Sequence, residues 1–572
     1  MSKGSSSKGS DGLGGESDLG EDPRADLAYG SVPRLVDSAA GRFGDAPALV
    51  EGGRVISFAG LRDAVRRTAG AALAAGVEHG ERVGIWAPNS ARWVVAALGV
   101  LSAGGVLVPV NTRLKGPEAA DILRRSGVRL LFGVSGFLGV DYEKMIAAEQ
   151  VPSLSRFVAL DSEESWGGFL SGAGWVSPDR VEARAGAVTP EDLSDIVFTS
   201  GTTGSPKGVM ATHAQTLRAF GSWASIAGLR RGDRYLVVNP FFHTFGLKAG
   251  ILASLMAGAA VIPVATFDVR AVLELVASQG ISVLPGPPTI YQSILDLEDR
   301  AGYDLTTLRL GVTGAAVVPV ELIERMSSEL GFDTVLTAYG LTESTGMVTM
   351  CRRGDPPGIV ASTSGRAIPG VEVKVAGPSG SGLPPGQPGE VLVRGYSVTQ
   401  GYLDDPAATE AAIDRSGWLH TGDVGVLDES GYLRITDRIK DMYVVGGFNV
   451  YPAEIEQVLA RHEAVKEVAV VGMPDRRLGE VGVAFVVADS PVAGEKLSRE
   501  LTEMARSQLA NFKVPRRVEL VEELPRNASG KVLKQLLRDS IPAAHTDSEV
   551  PREPLASAVG SEPGRSTDRR AR

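Results

Sequence analysis

The chain of 572 residues is long enough for several hydrophobic cores, since one domain takes about 100–200 residues. Its 43% hydrophobic and 22% charged content is that of an ordinary globular protein, and a net charge of -10 gives no hint of nucleic-acid binding, which would favour a basic face. A single cysteine, Cys351, excludes an intrachain disulfide and a cysteine-rich zinc site, and fits a reducing cytoplasm.

Residues 1–28 and 543–572 are rich in Gly, Ser, Pro and charge, so both are expected to be disordered tails, and no apolar secretory signal opens the chain. Leu61, Ala64, Val65, Ala69, Ala72 and Leu73 recur at helical spacing before a strand at 82–86. The apolar window 93–110 raises the membrane question, but Gly104, Gly105 and Pro109 read as a buried helix, a turn and a buried strand, with no integral membrane segment. A helical stretch around Asp121, Ile122 and Leu123 precedes a strand at 129–134. Helices alternating with nearly continuous apolar strands predict an α/β fold with a parallel sheet covered on both faces.

Residues 198–209 read F-T-S-G-T-T-G-S-P-K-G-V. Gly201, Gly204 and Gly208 allow close backbone approach to an anion, Ser200, Thr202 and Thr203 add hydroxyl donors, and Lys207 adds a positive charge. The pattern differs from the P-loop of common NTPases, because Pro206 precedes Lys207 and Gly208 follows it. A flexible Ser/Thr/Gly connection has the same composition, so the loop alone decides nothing.

Further along, strands are expected at 235–239, 260–264, 281–284, 308–313 and 334–339, with helices at 249–256 and 269–278. In open parallel sheets ligands bind beyond the carboxyl ends of strands, where the turns 314–316 and 339–343 fall. From about Gly365 short strands at 371–375, 389–394 and 433–436 alternate with Gly/Pro turns, the texture of a β-rich subdomain. After a boundary at 437–441, a compact unit is expected with helices at 452–461 and 496–510 and strands at 467–472 and 483–488.

The loop is followed by Y-G-L-T-E at 339–343, T-G-D at 421–423, D-R-I-K-D at 437–441, G-G-F-N-V-Y-P-A-E-I-E at 446–456 and P-R-N-A-S-G-K at 525–531. In this order the six motifs closely resemble the adenylate-forming superfamily of acyl-CoA synthetases, nonribosomal adenylation domains and luciferases, over residues 30–540. The resemblance implies a large AMP-binding N-terminal domain at 29–439, with parallel sheets and a β-rich subdomain, and a small mobile α+β lid domain at 440–542.

It also implies roles. Thr199, Ser200, Gly201, Thr202, Thr203, Gly204 and Lys207 would hold the β- and γ-phosphates of ATP, and Thr342 the α-phosphate. Glu343 would hold Mg2+, although a lone acid in a helix first turn is common. Gly314, Ala315, Ala316, Tyr339 and Gly340 would line the adenine, and Asp423 with Arg438 would bind the ribose, although Asp423 by itself reads as a turn residue. Lys531, otherwise a solvated surface lysine, would be the catalytic lysine of adenylation, and Lys440 the hinge of the lid. His243, Thr244, Leu247, Thr345 and Met347 would border the acyl pocket, with His243 gating rather than acting as acid or base. Gly446 and Gly447 would line the tunnel for the pantetheine arm of CoA.

The expected activity is ATP-dependent ligation of a small-molecule carboxylic acid to CoA. The strings N-P-F-F-H-T-F-G-L-K-A-G-I-L-A and V-L-P-G-P-P-T-I-Y-Q-S-I-L-D are especially similar to those of actinobacterial ligases for a bicyclic hydrindane-dione propanoate left by steroid-ring degradation. A fatty, aryl or polyketide-starter acid is the alternative substrate. Alternative activities are the loading of a carrier protein, or non-catalytic nucleotide binding, against which the intact Glu343, Asp423 and Lys531 speak. None of these motifs bears on oligomeric state.

Overall fold

The computed structural model describes residues 30–199, 206–314, 318–438, 441–445, 448–475, 478–489, 494–509, 511–526 and 531–541. The two tails expected at 1–28 and 543–572 lie outside them.

The strands Leu193–Thr199 and Lys207–Thr212, on either side of residues 200–205, belong to a seven-stranded sheet. Its spatial order is Gly401–Tyr402, Lys207–Thr212, Leu193–Thr199, Val106–Pro109, Arg82–Trp86, Leu130–Gly133 and Arg156–Ala159. The last five run parallel, as their apolar sequences predict, because both faces are covered and the strands Val106–Pro109 and Leu130–Gly133 are buried throughout. The first two strands are antiparallel additions. The window 93–110 resolves as read, into the buried helix Ala91–Ser102, a turn with Gly104 at φ +76°, and the strand Val106–Pro109. Ser90 Oγ caps that helix by accepting the Trp93 amide at 3.1 Å. No described helix is long and apolar enough to cross a membrane.

A second sheet runs Arg54–Ser57, Pro47–Glu51, Ala260–Pro263, Arg234–Val237 and, through Val283, on to Leu310–Gly314, Thr334–Tyr339, Thr349–Met350 and Arg366–Ala367. The segment expected as a strand at 281–284 is this link between the two halves: Val283 bridges Tyr235 and Leu310, and the Leu284 and Gly286 amides donate to the Leu310 and Val312 carbonyls, each at 3.0 Å. The helix expected at 249–256 starts earlier and as a π-helix, Phe245–Leu252, before the α-helical Ala253–Ala257. Gly246 and Gly250 let this segment lie against Pro240 and Val237, where an added Cβ would stand 2.1 and 2.7 Å from the nearest atoms.

The β-rich subdomain is one antiparallel sheet of Val371–Ala376, Gly389–Gly395, Leu419–Leu427 and Leu433–Arg438. The C-terminal unit packs the helices Pro452–Leu459, Gly494–Gln508 and Lys534–Ser540 on a sheet dominated by Val465–Asp475 and Gly479–Ala488. One apolar cluster runs through residues from Val32 to Leu433, whereas Tyr443, Ile455, Leu497 and their neighbours form separate cores. The apolar interior therefore divides on either side of the segment 437–441.

Candidate active site

The strands that flank residues 200–205, Leu193–Thr199 and Lys207–Thr212, pair antiparallel. Thr199 stands opposite Lys207 and Phe198 opposite Gly208, while Ser200, Gly201, Thr202, Thr203 and Gly204 lie outside the described residues. Arg125, on the helix Gly116–Ser126, donates to the Pro206 carbonyl at 2.6 Å and places its guanidinium 5.4 Å from the Phe198 ring centre. One cation thus grips both ends of the hairpin's turn, a role that Arg125 does not announce from its place in an amphipathic helix.

Strand Thr334–Tyr339 delivers the second motif. Gly340 follows it in a turn so close that a Cβ would sit 2.2 Å from the Gly346 carbonyl oxygen, which explains glycine there. Thr342 and Glu343 lie in the short 3-10 turn Thr342–Ser344, and Ser344 Oγ accepts the Leu341 amide at 3.1 Å. The Tyr339 hydroxyl donates to Asp423 Oδ2 at 2.6 Å. Asp423 is only 3% exposed, sits on Leu419–Leu427, and pairs in backbone register with Arg438. Gly314 ends the neighbouring strand opposite Ala338, where a Cβ would meet the Ala338 carbonyl oxygen at 2.5 Å; Ala315 and Ala316 lie outside the described residues.

A residue that the motif reading passed over joins these two elements. Tyr402 donates its hydroxyl to Glu343 Oε1 at 3.0 Å, and the Lys207 ammonium lies 4.9 Å from the centre of its ring. Burial first, and then the Glu343 charge, push the Tyr402 hydroxyl well above the usual phenol range, so it stays a donor. The Glu343 carbonyl accepts the Thr399 amide at 2.8 Å, tying the same segment to the 3-10 turn. Among the described residues no group of three or more His, Cys, Asp or Glu side chains could hold a metal ion.

The expected acyl-pocket residues cluster beside this turn. Thr244, Leu247 and Met347 are buried, and Thr244 lies against Gly346, whose Cβ position is 3.2 Å from its side chain. Thr345 takes a φ of +60° and is held by its Oγ1 donating to the Ser397 carbonyl at 2.7 Å. His243 Nδ1 accepts the Phe245 amide at 3.2 Å, and burial holds the imidazole below its usual pKa. A neutral ring already used as an acceptor suits a wall position.

Lys531 is exposed in the C-terminal unit, beside the bridge that pairs Arg526 with Val532. Lys440, Gly446 and Gly447 lie outside the described residues. Two buried polar groups behind the site also escaped the sequence reading. Lys248, in the π-helix, pairs with Asp195 at 2.9 Å, the side chains being 1% and 3% exposed. His213, fully inside, accepts the Val32 amide on Nδ1 at 3.3 Å.

A family model described as AMP-binding enzyme matches residues 36–403, and one described as AMP-binding enzyme C-terminal domain matches residues 454–531. The chain is 51% identical over 513 residues, 89% of its length and 98% of the relative's, to a 3-(7a-methyl-1,5-dioxo-octahydroinden-4-yl)propanoyl:CoA ligase of Mycobacterium tuberculosis. It is 49% identical over 520 residues, 89% of its length and 98% of the relative's, to the ligase of the same name from Rhodococcus jostii. Among solved structures, an anthranilate CoA ligase in complex with anthranoyl-AMP superposes with a TM-score of 0.79 at 28% identity, covering 89% of this chain and 97% of that one.

Proposed function

This chain belongs to the AMP-binding enzyme family, and from that premise we propose that it is an ATP-dependent acyl-CoA ligase acting on a bicyclic hydrindane-dione propanoate. The observation that carries the activity is the convergence on one turn of an aromatic with a buried carboxylate, Tyr339 and Asp423, and a lysine with a second carboxylate, Lys207 and Glu343. The first pair suits a nucleoside and the second a metal-bound polyphosphate. The substrate class rests on the two ligases that share about half of their residues with this chain.

In the first step a substrate carboxylate oxygen attacks the α-phosphorus of ATP. The bond to the β-phosphate breaks, and pyrophosphate leaves from an acyl-adenylate. Residues 199–204 and Lys207 hold the β- and γ-phosphates, with Arg125 fixing the hairpin that carries them. Thr342 bonds the α-phosphate. Gly314, Ala315, Ala316, Tyr339 and Gly340 seat the adenine; Asp423 and Arg438 hold the ribose hydroxyls. Lys531 neutralises the charge that builds on the α-phosphate and carboxylate, where a preplaced cation costs no reorganisation. Glu343 holds Mg2+, which offsets polyphosphate charge when bound.

In the second step the CoA sulfur attacks the acyl carbon, the carbon–oxygen bond to AMP breaks, and the thioester and AMP leave. A lid domain at 440–542, turning about Lys440, withdraws Lys531 and brings Gly446 and Gly447 to the pantetheine path. His243, Thr244, Leu247 and Met347 shape the acyl pocket. The single, buried Cys351 suits a cytoplasmic location.

Pyrophosphate release measured across bicyclic, fatty and aryl acids, with and without CoA, tests this reading. Turnover highest with the hydrindane-dione propanoate and dependent on CoA is expected. Preference for a fatty or aryl acid would overturn the substrate, and no release with any acid would overturn the activity.

A further inference from the structure

The site places a lysine against the ring of one phenol and a carboxylate at its hydroxyl. Lys207 and Glu343 make no ion pair with each other among the described residues, and instead each is engaged by Tyr402, one at the ring and the other at the hydroxyl. Opposite charges that meet at a half-buried site attract by several times the thermal energy, and direct pairing would cancel the two groups that a metal-bound polyphosphate needs. Tyr402 is itself firmly placed. Its strand pairs with Val209 and Met210, two and three residues after Lys207. Its amide donates to Thr409 Oγ1 at 2.9 Å, and the Leu403 amide donates to the Gly208 carbonyl at 2.7 Å. On the other side the Thr399 amide holds the Glu343 backbone at 2.8 Å.

We propose that Tyr402 is a positioning residue of the nucleotide site: a spacer that keeps Lys207 and Glu343 from pairing and fixes Glu343 Oε1, so that Oε2 is presented to the cation. The proposal rests on the reading of this site as an ATP site. Tyr402 does not touch the reacting atoms. It sets the metal-dependent part of nucleotide affinity through Glu343 and the metal-independent part through Lys207.

Calorimetric titration of the full chain with ATP, once in EDTA and once in Mg2+, separates the two. Tyr402→Phe keeps the ring beneath Lys207 and removes only the donor. Its affinity in EDTA should stay within about twofold of the parent, while the gain on adding Mg2+ falls about tenfold, the worth of one hydrogen bond to a charged group. In a Glu343→Gln background the same substitution should change neither titration. Tyr402→Ala removes the spacer, lets Lys207 swing to Glu343, and should weaken ATP in both conditions; should it fail to fold, the Phe and Gln variants carry the test alone. Tyr402→Phe that matches the parent in both titrations, or weakens both equally, overturns the proposal. A parent chain that binds no ATP in either condition overturns the nucleotide site itself.

Discussion

Lys248→Met probes the scaffold behind the hairpin of Leu193–Thr199 and Lys207–Thr212. Asp195 lies on Leu193–Thr199, the strand that leads into the loop, and Lys248 reaches it at 2.9 Å from the π-helix that carries Leu247. Ser194 Oγ also donates to the Asp195 carboxylate at 2.6 Å, but a hydroxyl brings no charge. Removing the ammonium leaves a carboxylate in an interior site of 3% exposure, and breaking a buried pair in this way costs about 3–5 kcal/mol. In a unit of some four hundred residues that corresponds to a melting shift of roughly 3–10 °C, read by calorimetry. The partner change tests the cause. Replacing both residues, Lys248→Met with Asp195→Leu, removes the stranded charge and should recover much of the loss, giving a coupling of about 2 kcal/mol or more in the double-mutant cycle. A single variant that loses less than about 1 kcal/mol, or a double variant no better than the sum of the singles, would refute the argument that the pair is held by mutual charge compensation.

Three further outcomes are expected. Lys531→Ala should abolish pyrophosphate release while leaving thioester formation from supplied acyl-adenylate largely intact; undiminished release would remove Lys531 from the first step. Tyr339→Phe deprives Asp423 of its hydroxyl donor, worth about 1.5–3 kcal/mol to a charged acceptor, so the KM for ATP should rise about tenfold or more with a smaller change in kcat. His213 carries a pKa lowered by burial from 6.5 to about 4, so the unfolded chain binds a proton that the native chain refuses. Above about pH 6.5 this group contributes no pH dependence. Between pH 6.5 and 4 stability should fall as pH falls, by up to about 3 kcal/mol, and His213→Asn, which keeps an acceptor for the Val32 amide, should flatten that slope in denaturant titrations.

The elements legible in the sequence are those whose signal is local. The 93–110 window carries its helix, turn and strand within eighteen residues, and the alternation of apolar strands with helices foretells the parallel sheet because each strand is buried on both faces. Of the residues in the motifs, the structure brings Tyr339 to Asp423 across 84 positions of chain. Contacts made by residues with no unusual neighbours stay hidden. Tyr402 sits in a two-residue strand, 59 positions from Glu343, and nothing in G-Y-L-D-D-P says which carboxylate its hydroxyl meets. Lys248 interrupts the apolar run F-G-L-K-A-G-I-L as a surface lysine would, and only the fold shows that it points inward to Asp195. The apolar stretch 281–284 pairs with both of its neighbours, the Ser282 and Leu284 amides donating to the Arg234 and Leu310 carbonyls, each at 3.0 Å.

That one site first joins the acid to AMP and then passes it to CoA is tested most directly by isotope transfer. With the acid's carboxylate oxygens labelled with oxygen-18, mass spectrometry of a turnover with ATP and CoA should find one labelled oxygen in each AMP released, because the oxygen that attacks the α-phosphorus stays there when the sulfur displaces it. Label appearing in inorganic phosphate alongside ADP, or thioester formed with unlabelled AMP, would contradict the account.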